Sequence, residues 1–493
     1  MSANVIALGV ISGIVAVGAI AGFYASHRHK MDLEEWTVGG RGFGLVLVWL
    51  LMAGEVYTTF TFLGASGWAY SRGGPALYIL GYQPLWAVVS FYLLPQIWEV
   101  GRRYRLQTQA DFFQLRYASK YLTAFVALVG VVFLIPYLQL QLTGLGIIVE
   151  VASFQSIGRA PAMVIAFSIV AAFVFVSGVR GVAWVSVIKD VLLLCAAIFV
   201  GIAVPYIYFG GIGPMFAALV QAKPQHLLMP GATKNLGHGW YFSTVLLTSL
   251  GFYMWPQAFA ASFTAKTGNT LRRNAVIMPL YSITMPLMFC VGLTAILVLP
   301  SLSNGDLSLL TIVRKTFPPW FLGAVGGAGA LTAMVPAAIQ ILTAATLFAK
   351  NVYRPIFAPG MSDHRVATLA KIMVLVITAT ALGFAIYSST TLVSLLLLGY
   401  DGVTQFFPGV VLGLCSRRVT RLGVLSGLVV GITTVSFLVL SHRDPFFGLN
   451  AGLVVLVLNF VVTAAVSFLT FAQTRGSDQS LPAVAVAGSG HIG

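Results

Sequence analysis

The sequence predicts an all-α integral membrane protein with many spanning helices. Of its 493 residues, 58% are hydrophobic and only 8% are charged, whereas soluble domains carry roughly 25% charged residues. Apolar runs of about 20 residues recur between short polar loops, and a helix of that length crosses the hydrocarbon core of a bilayer. Only helices and closed barrels satisfy their backbone hydrogen bonds in lipid, and these runs are too long for barrel strands.

About thirteen spans are predicted along the chain. They cover residues 4–26, 43–71, 76–98, 121–149, 160–178, 183–208, 240–261, 275–299, 320–349, 368–388, 390–415, 420–441 and 447–471. They form one transmembrane domain over residues 1–471, and residues 472–493 form a short cytoplasmic tail. The tail, the loops after odd-numbered helices and the beginnings of the spans that follow these loops hold 21 of the 28 Lys and Arg residues. We expect the protein in the cell (inner) membrane. The positive-inside rule then places the C-terminus in the cytoplasm and the N-terminus on the outer side of that membrane.

Charge and motifs exclude several function classes. The net charge of +15 is spread over loops, which indicates membrane orientation rather than a nucleic-acid partner. The three cysteines, Cys195, Cys290 and Cys415, lack ligand-like spacing, so neither a disulfide framework nor a metal site is expected. No phosphate-binding loop, zinc-binding helix or nucleophile elbow occurs, so an enzyme and a cofactor are not expected. The partners are the lipid bilayer and a small solute; the oligomeric state stays open, and a monomer is compatible with the sequence.

Two predicted helices carry interruptions near their middles. The interrupting residues are Gly54, Gly64 and Gly67 in the second helix, and Gly251 and Pro256 in the seventh. Transporters built from inverted repeats place their substrate at such broken helices, in matching positions of the two halves. The breaks are five helices apart, which fits a first repeat over 43–208 and a second over 240–415. A packing kink is the alternative, since membrane helices tolerate Gly and Pro.

Acidic residues inside the membrane sharpen the choice. Glu55 in the second helix and Asp401 in the eleventh are the acidic residues expected deep within spans. Placing a charged group there costs about 2.5 to 3.5 kcal/mol on insertion scales, so each is a functional candidate. A neutral carboxyl group that fixes helix packing is the alternative. No Arg or Lys is expected inside the membrane to pair with an anionic substrate.

Glycines of the first helix suggest a packing surface. Gly9, Gly13, Gly18 and Gly22 follow a spacing typical of close helix contacts in membranes. We therefore expect these four positions to face a neighbouring helix.

Four segments on the predicted cytoplasmic side resemble successive signatures of the sodium:solute symporter family, in the same order. They are WTVGGRGFG (36–44), QTQADFFQLRYASK (107–120), GVRGVAWVSVIKDVL (178–192) and KNVYRPI (350–356). The resemblance covers residues from about 4 to 471. It implies a LeuT-like fold in which helices 2 to 6 and 7 to 11 form inverted repeats, and transport by alternating access.

Four further segments look like the branch of monocarboxylate uptake permeases. They are GEVYTTFTFLGASGWAY (54–70), MWPQAF (254–259), LRRNAVIMPLY (271–281) and MVPAAIQILTAATLFAKNVY (334–353). This resemblance implies symport of short carboxylates such as lactate or pyruvate, with alanine, another amino acid or another organic acid as alternatives. A membrane sensor on a transporter scaffold is a rival, which the short tail disfavours.

Polar and aromatic side chains at the interruptions are the predicted substrate contacts. They are Thr58, Thr59 and Thr61 on the second helix, Trp255 and Gln257 on the seventh, and Tyr400 and Gln405 on the eleventh. A carboxylate would bind at these hydroxyl groups or at the N-terminus of a half-helix.

The family's sodium site is incomplete in this sequence. The resemblance assigns sodium to the carbonyl groups of Gly54 and Tyr57 and to three positions on the ninth helix, which here are Thr332, Val335 and Pro336. Two hydroxyl ligands are therefore missing, and Ser186 stands where the family usually has an acidic residue. A hard cation needs several oxygen ligands. We therefore expect an absent or rebuilt sodium site, with either H⁺ or Na⁺ as the coupling ion, Glu55 as a proton carrier and Asp401 as a gate or second relay.

Overall fold

The computed structural model describes residues 2–26, 37–233, 235–387 and 390–474. Within these ranges the regular secondary structure is helical apart from two isolated β-bridges, Phe43–Ala265 and Phe446–Leu449. Ten helices are long and apolar enough to cross a membrane, and eleven if a bent pair counts as one span. The all-α membrane class is confirmed, whereas the number of thirteen spans is not. Residues 475–493 of the predicted tail lie outside the described residues.

The first half of the chain contains a bent helix pair and three long helices after α1. Its helices are α1 (Ala3–Ser26), α2 (Leu45–Val56), a π-helix (Phe60–Gly64) that continues as α3 (Ala65–Ser71), α4 (Tyr78–Arg103), α5 (Gln109–Tyr117), α6 (Lys120–Ala152), α7 (Arg159–Phe209) and α8 (Ile212–Ala222). The axes of α2 and of the segment Phe60–Ser71 differ by 56°.

The second half contains another broken helix and ends in two adjacent helices. Its helices are α9 (His238–Gly251), α10 (Pro256–Ala261), α11 (Gly268–Tyr281), α12 (Thr284–Val298), α13 (Ser308–Thr316), α14 (Pro319–Thr346) with a following π-helix (Leu347–Tyr353), α15 (Arg354–Phe357), α16 (Asp363–Tyr387), α17 (Leu392–Val403), α18 (Phe407–Cys415), α19 (Arg421–Leu440) and α20 (Ala451–Thr474). Single-turn 3₁₀ segments join several of these helices.

The difference in the number of spans arises at α7 and α9. The predicted loop between the fifth and sixth spans, residues 179–182, is helical, because helix α7 runs without interruption from Arg159 to Phe209. That loop contains no proline, so nothing local obliges the helix to end there. The predicted seventh span is divided between α9 and α10, and neither piece is long enough to cross a membrane alone.

Helix α1 packs on α14 and α7, but half of its predicted glycine face is not used. A β-carbon on Gly18 would lie 2.8 Å from Leu331, and one on Gly22 would lie 2.8 Å from Val185. Gly9 and Gly13 have open space instead. Near the start of α1, the glycine that permits close contact lies on α14 instead. A β-carbon on Gly323 would lie 2.7 Å from the backbone oxygen of Ala7.

The short helix α5 is anchored to the π-helix that follows α14. Thr108 and Asp111 form a capping box at the start of α5. The Asp111 carboxylate also accepts hydrogen bonds from Lys350 Nζ (2.8 Å) and Asn351 Nδ2 (2.9 Å). One residue from the cap, Gln109 Nε2 donates to a carbonyl oxygen at the break between α9 and α10 (2.9 Å). This contact ties the interhelical segment to one of the two broken helices.

Candidate functional site

Both predicted interruptions are present as breaks in helical structure. Helix α2 ends at Val56, and Tyr57 has the non-helical angles φ −91° and ψ 89°. In the second half, Trp255 (φ −57°, ψ 126°) separates α9 and its 3₁₀ turn from α10. Pro256 occupies the first position of α10, where its missing N–H costs nothing. A break exposes carbonyl groups that no longer have an intrahelical donor.

The exposed carbonyl groups of α2 hold the ammonium group of a lysine. Lys189 is fully buried, and its Nζ donates to Gly54 O (3.0 Å) and Tyr57 O (2.9 Å). It also forms an ion pair with Asp190 Oδ1 (2.9 Å), while Ala53 O lies farther away at 3.5 Å. These carbonyl groups of Gly54 and Tyr57 are the two that the sequence assigns to a cation.

The lysine is connected to the stack of rings between α2 and α11. Asp190 Oδ1 accepts a hydrogen bond from the Tyr281 hydroxyl (3.1 Å), and the Tyr281 ring stacks on the Tyr57 ring with centroids 4.1 Å apart. The Tyr57 hydroxyl in turn lies 2.9 Å from Ser282 Oγ. Helices α2, α7 and α11 therefore meet around one buried ion pair.

Of the three remaining predicted cation ligands, two carry no side-chain oxygen. Thr332 Oγ1 donates to Ala328 O of its own helix (2.7 Å). Val335 lies against Gly54, where a β-carbon would be 3.4 Å from Val335 Cγ1, and Pro336 is buried with no side-chain oxygen. Among these three positions, Thr332 therefore carries the one side-chain oxygen.

Ser186 closes the same place from the side of α7. A β-carbon on Gly54 would lie 2.5 Å from Ser186 Oγ, and that hydroxyl donates to Val182 O (3.0 Å). Lys189 follows one turn later on the same helix. The side chain that reaches the carbonyl groups is thus the lysine, and sodium does not fit the space that its ammonium group fills.

The three threonines of the break differ in their hydrogen bonds. Thr59 Oγ1 donates to Gln141 Oε1 (2.8 Å), and Thr58 Oγ1 accepts from the backbone N–H of Phe60 (3.1 Å). Thr61 is fully buried, and its hydroxyl has no hydrogen-bond partner among the described residues. Of the three, Thr61 has the side chain best suited to receive a ligand.

Trp255 and Tyr400 lie together at the second break. The centroid of the Trp255 ring is 5.3 Å from that of Tyr400 and 4.7 Å from that of Tyr137 on α6. The Tyr137 hydroxyl reaches Glu55 O at 3.5 Å, so this aromatic group joins the two breaks. Gln257 Oε1, on the first turn of α10, is buried and has no partner in the described parts of the chain.

The two predicted acids occupy different surroundings. Glu55 is 3% exposed and lies beside the aromatic group, and its Oε1 has no partner within the ranges that the structure describes. Asp401 is 2% exposed and lies against α20, where a β-carbon on Gly452 would collide with its carboxyl group. Asp401 also lines two cavities, of about 380 and 880 Å³.

Gln405 is directed away from the other predicted substrate contacts. Its Nε2 donates to Asp401 O and Gly452 O (both 3.1 Å), and its Oε1 accepts from Asn459 Nδ2 (3.2 Å). These bonds connect the turn after α17 to α20. The structure therefore brings Trp255 and Tyr400 together and places Gln405 in a separate network.

Sequence reasoning missed four residues of this region. Lys189 and Asp190 lie inside the predicted span 183–208, so the expectation of no intramembrane lysine was wrong, and the signal was their position within an apolar run. Tyr137 and Gln141, one turn apart on α6, were also missed. Their polar groups within the predicted span 121–149 were the available signal.

Comparison with known proteins decides the family. The model of the sodium:solute symporter family matches residues 36–431. The chain belongs to this family. A Bacillus subtilis symporter, YhjB, is 43% identical to this symporter over 96% of the chain and 99% of its own length. The monocarboxylate transport permease protein of Rhizobium johnstonii is 29% identical, with 94% and 97% coverage.

Solved structures show the same fold for this symporter. The substrate-bound, outward-open structure of a Na⁺-coupled sialic acid symporter superposes with a TM-score of 0.77 at 18% identity, covering 95% of this chain and 97% of the other. The LeuT-like class and the resemblance to the family are thus confirmed. The symporter is a multi-pass membrane transporter and not an enzyme.

Proposed function

We propose that this symporter takes up short-chain monocarboxylates such as lactate or pyruvate, with alternating access around the two helix breaks. The observation that carries the proposal is the set of buried polar atoms without protein partners next to these breaks, on Thr61, Gln257 and Glu55. Buried polar groups are normally hydrogen-bonded, and unpaired ones in a native structure call for a ligand or water. The aromatic group of Tyr137, Trp255 and Tyr400 supplies an apolar wall beside them.

The hydrogen-bonding character of these atoms is compatible with a small acid. The Thr61 hydroxyl and a protonated Glu55 can donate to a carboxylate, and Gln257 Oε1 can accept from a hydroxyl group of the solute. Lys189, the lysine within the span Gly181–Phe209, is already bonded to Asp190 and to the carbonyl groups of α2, so it does not offer a free ammonium to the substrate. The name of the 29% identical relative supports the same class of solute.

The proposal includes the predicted arrangement in the membrane. Residues 43–208 and 240–415 form the two inverted repeats, the N-terminus lies outside the inner membrane, and the C-terminus lies in the cytoplasm. The breaks at Tyr57 and Trp255 then occupy matching positions of the repeats. Glu55 is the proposed carrier of a coupling proton and Asp401 the gate or second relay.

Uptake by purified protein in liposomes tests the substrate. Labelled pyruvate and lactate are offered under imposed gradients, and alanine and other short acids compete. We expect Gln257→Leu to reduce uptake strongly, because its buried Oε1 has no protein partner and lies two residues after the break at Trp255. We expect Gln225→Leu, on an exposed side chain, to leave uptake unchanged. Binding of the acids without transport contradicts the proposal and favours a sensor, and uptake of a different solute class contradicts the substrate alone.

A further inference from the structure

The ammonium group of Lys189 has all three of its N–H donors used. Gly54 O, Tyr57 O and Asp190 Oδ1 lie at 3.0, 2.9 and 2.9 Å, and an ammonium group has three donors and no acceptor. The side chain is fully buried and Asp190 is 1% exposed. The pair is therefore a built part of the interior and not a surface contact.

The end of α2 is a place that favours a positive charge. The last carbonyl groups of a helix lack intrahelical donors, and the helix dipole gives this end a partial negative charge of about half a unit. Oxygen ligands for a metal cation are scarce here, because Val335 and Pro336 carry no side-chain oxygen. A lysine ammonium satisfies the carbonyl groups without further ligands.

We propose that the Lys189 ammonium is a built-in cation of this symporter, which occupies the carbonyl groups of broken helix α2 in place of a transported sodium ion, so that transport does not require sodium. Asp190 balances its charge and, through Tyr281, holds the ion pair against α11. The inference concerns the coupling step of the proposed uptake. It rests on the proposed function in the experiments that measure transport, but not in those that measure thermal stability.

Thermal melting of the purified protein tests the inference without any substrate. We expect the wild type to melt at the same temperature in sodium chloride and in choline chloride. Lys189→Ala leaves the Asp190 carboxylate and two carbonyl groups around an empty space, so this variant should melt lower and be stabilised by sodium in a saturable way, as a ligand of the native state does. Lys371→Ala, at an exposed lysine on α16, is the matched control and should show neither change.

A second variant covers the case in which the single change prevents folding. Removing one member of a buried ion pair leaves an unpaired charge, whereas replacing both members by neutral side chains of similar volume is often tolerated. Lys189→Met/Asp190→Asn should fold, show no sodium stabilisation, and lose at least about tenfold in uptake, since the carbonyl groups then lack any cation.

The outcomes separate this inference from the proposed substrate. Saturable sodium stabilisation of the wild type, or uptake that requires sodium, overturns it. It is equally overturned if Lys189→Ala melts like the wild type with no sodium response, or if Lys189→Met/Asp190→Asn transports at the wild-type rate. If no monocarboxylate is transported but Lys189→Ala alone responds to sodium, the substrate proposal fails and the built-in cation stands.

Discussion

Two neighbouring threonines should separate substrate binding from stability. Thr59 and Thr61 are both fully buried on the broken second helix, but the Thr59 hydroxyl donates to Gln141 whereas the Thr61 hydroxyl has no partner in the described residues. Valine has nearly the shape of threonine and removes only the hydroxyl group. The matched pair Thr59→Val and Thr61→Val therefore tests which hydroxyl is structural and which binds the solute.

The hydrogen bonds set the expected magnitudes. Losing the bond from Thr59 to Gln141 should destabilise the protein by about 0.6 to 1.5 kcal/mol, the range for neutral hydrogen bonds in membrane and soluble proteins. A bond from Thr61 to a carboxylate is worth about 1.5 to 3 kcal/mol, so Thr61→Val should raise KM by about 10- to 150-fold, at 1.4 kcal/mol for each factor of ten. Thr61→Val should not lower the melting temperature, because it removes a buried polar group that has no partner.

Uptake kinetics in liposomes and thermal melting in detergent measure the two effects. Thr59→Val should melt lower and keep a KM close to that of the wild type. The reasoning is refuted if Thr59→Val raises KM as much as Thr61→Val, or if Thr61→Val loses as much stability as Thr59→Val. Either result would mean that the hydrogen bonds of the structure do not distinguish the two residues.

Three further predictions concern acidic residues. Glu55→Gln should abolish uptake driven by a pH gradient in vesicles, because an amide at this buried position carries no proton, and sodium-driven uptake that survives the change would contradict Glu55 as the coupling group. Burial raises the pKa of Asp306, which lies between two spans, to about 7. The neutral carboxyl group is therefore favoured in the folded state, and the free energy of unfolding should fall as the pH rises from about 4 to 7. The melting temperature of Asp306→Asn should depend less steeply on pH over the same range. Burial acts to raise the pKa of Asp111, but Lys350 and the neighbouring hydrogen bonds outweigh it and hold that pKa below its usual range. The resulting stability should be present at neutral pH and be lost on acidification below about pH 4, a loss that urea titrations of Asp111→Asn should not show.

The local sequence predicted where the two helices break, but it did not predict which residues surround the breaks. Pro256 has no backbone N–H and therefore cannot donate the hydrogen bond that would continue the preceding helix. Polar residues within an apolar run indicated the break near Gly54. The same reasoning placed Gln405 with the substrate contacts, whereas it bonds to Gly452 and Asn459 on α20. Helical spacing gives the face on which a residue lies, but not the helix that the face meets.

The sequence by itself determined that this protein is a helical membrane protein, because apolar run length and insertion energetics depend only on local composition. Its motifs resemble those of the sodium:solute symporter family, and the family model confirms that membership. The resemblance to the family also implies that two hydroxyl ligands of its sodium site are missing, at Val335 and Pro336. Only the tertiary structure placed the Lys189 ammonium group at the end of α2, where it reaches carbonyl groups that lie 132 and 135 residues earlier in the chain. Which buried charge meets which broken helix depends on the packing of distant helices, and no local periodicity encodes that contact.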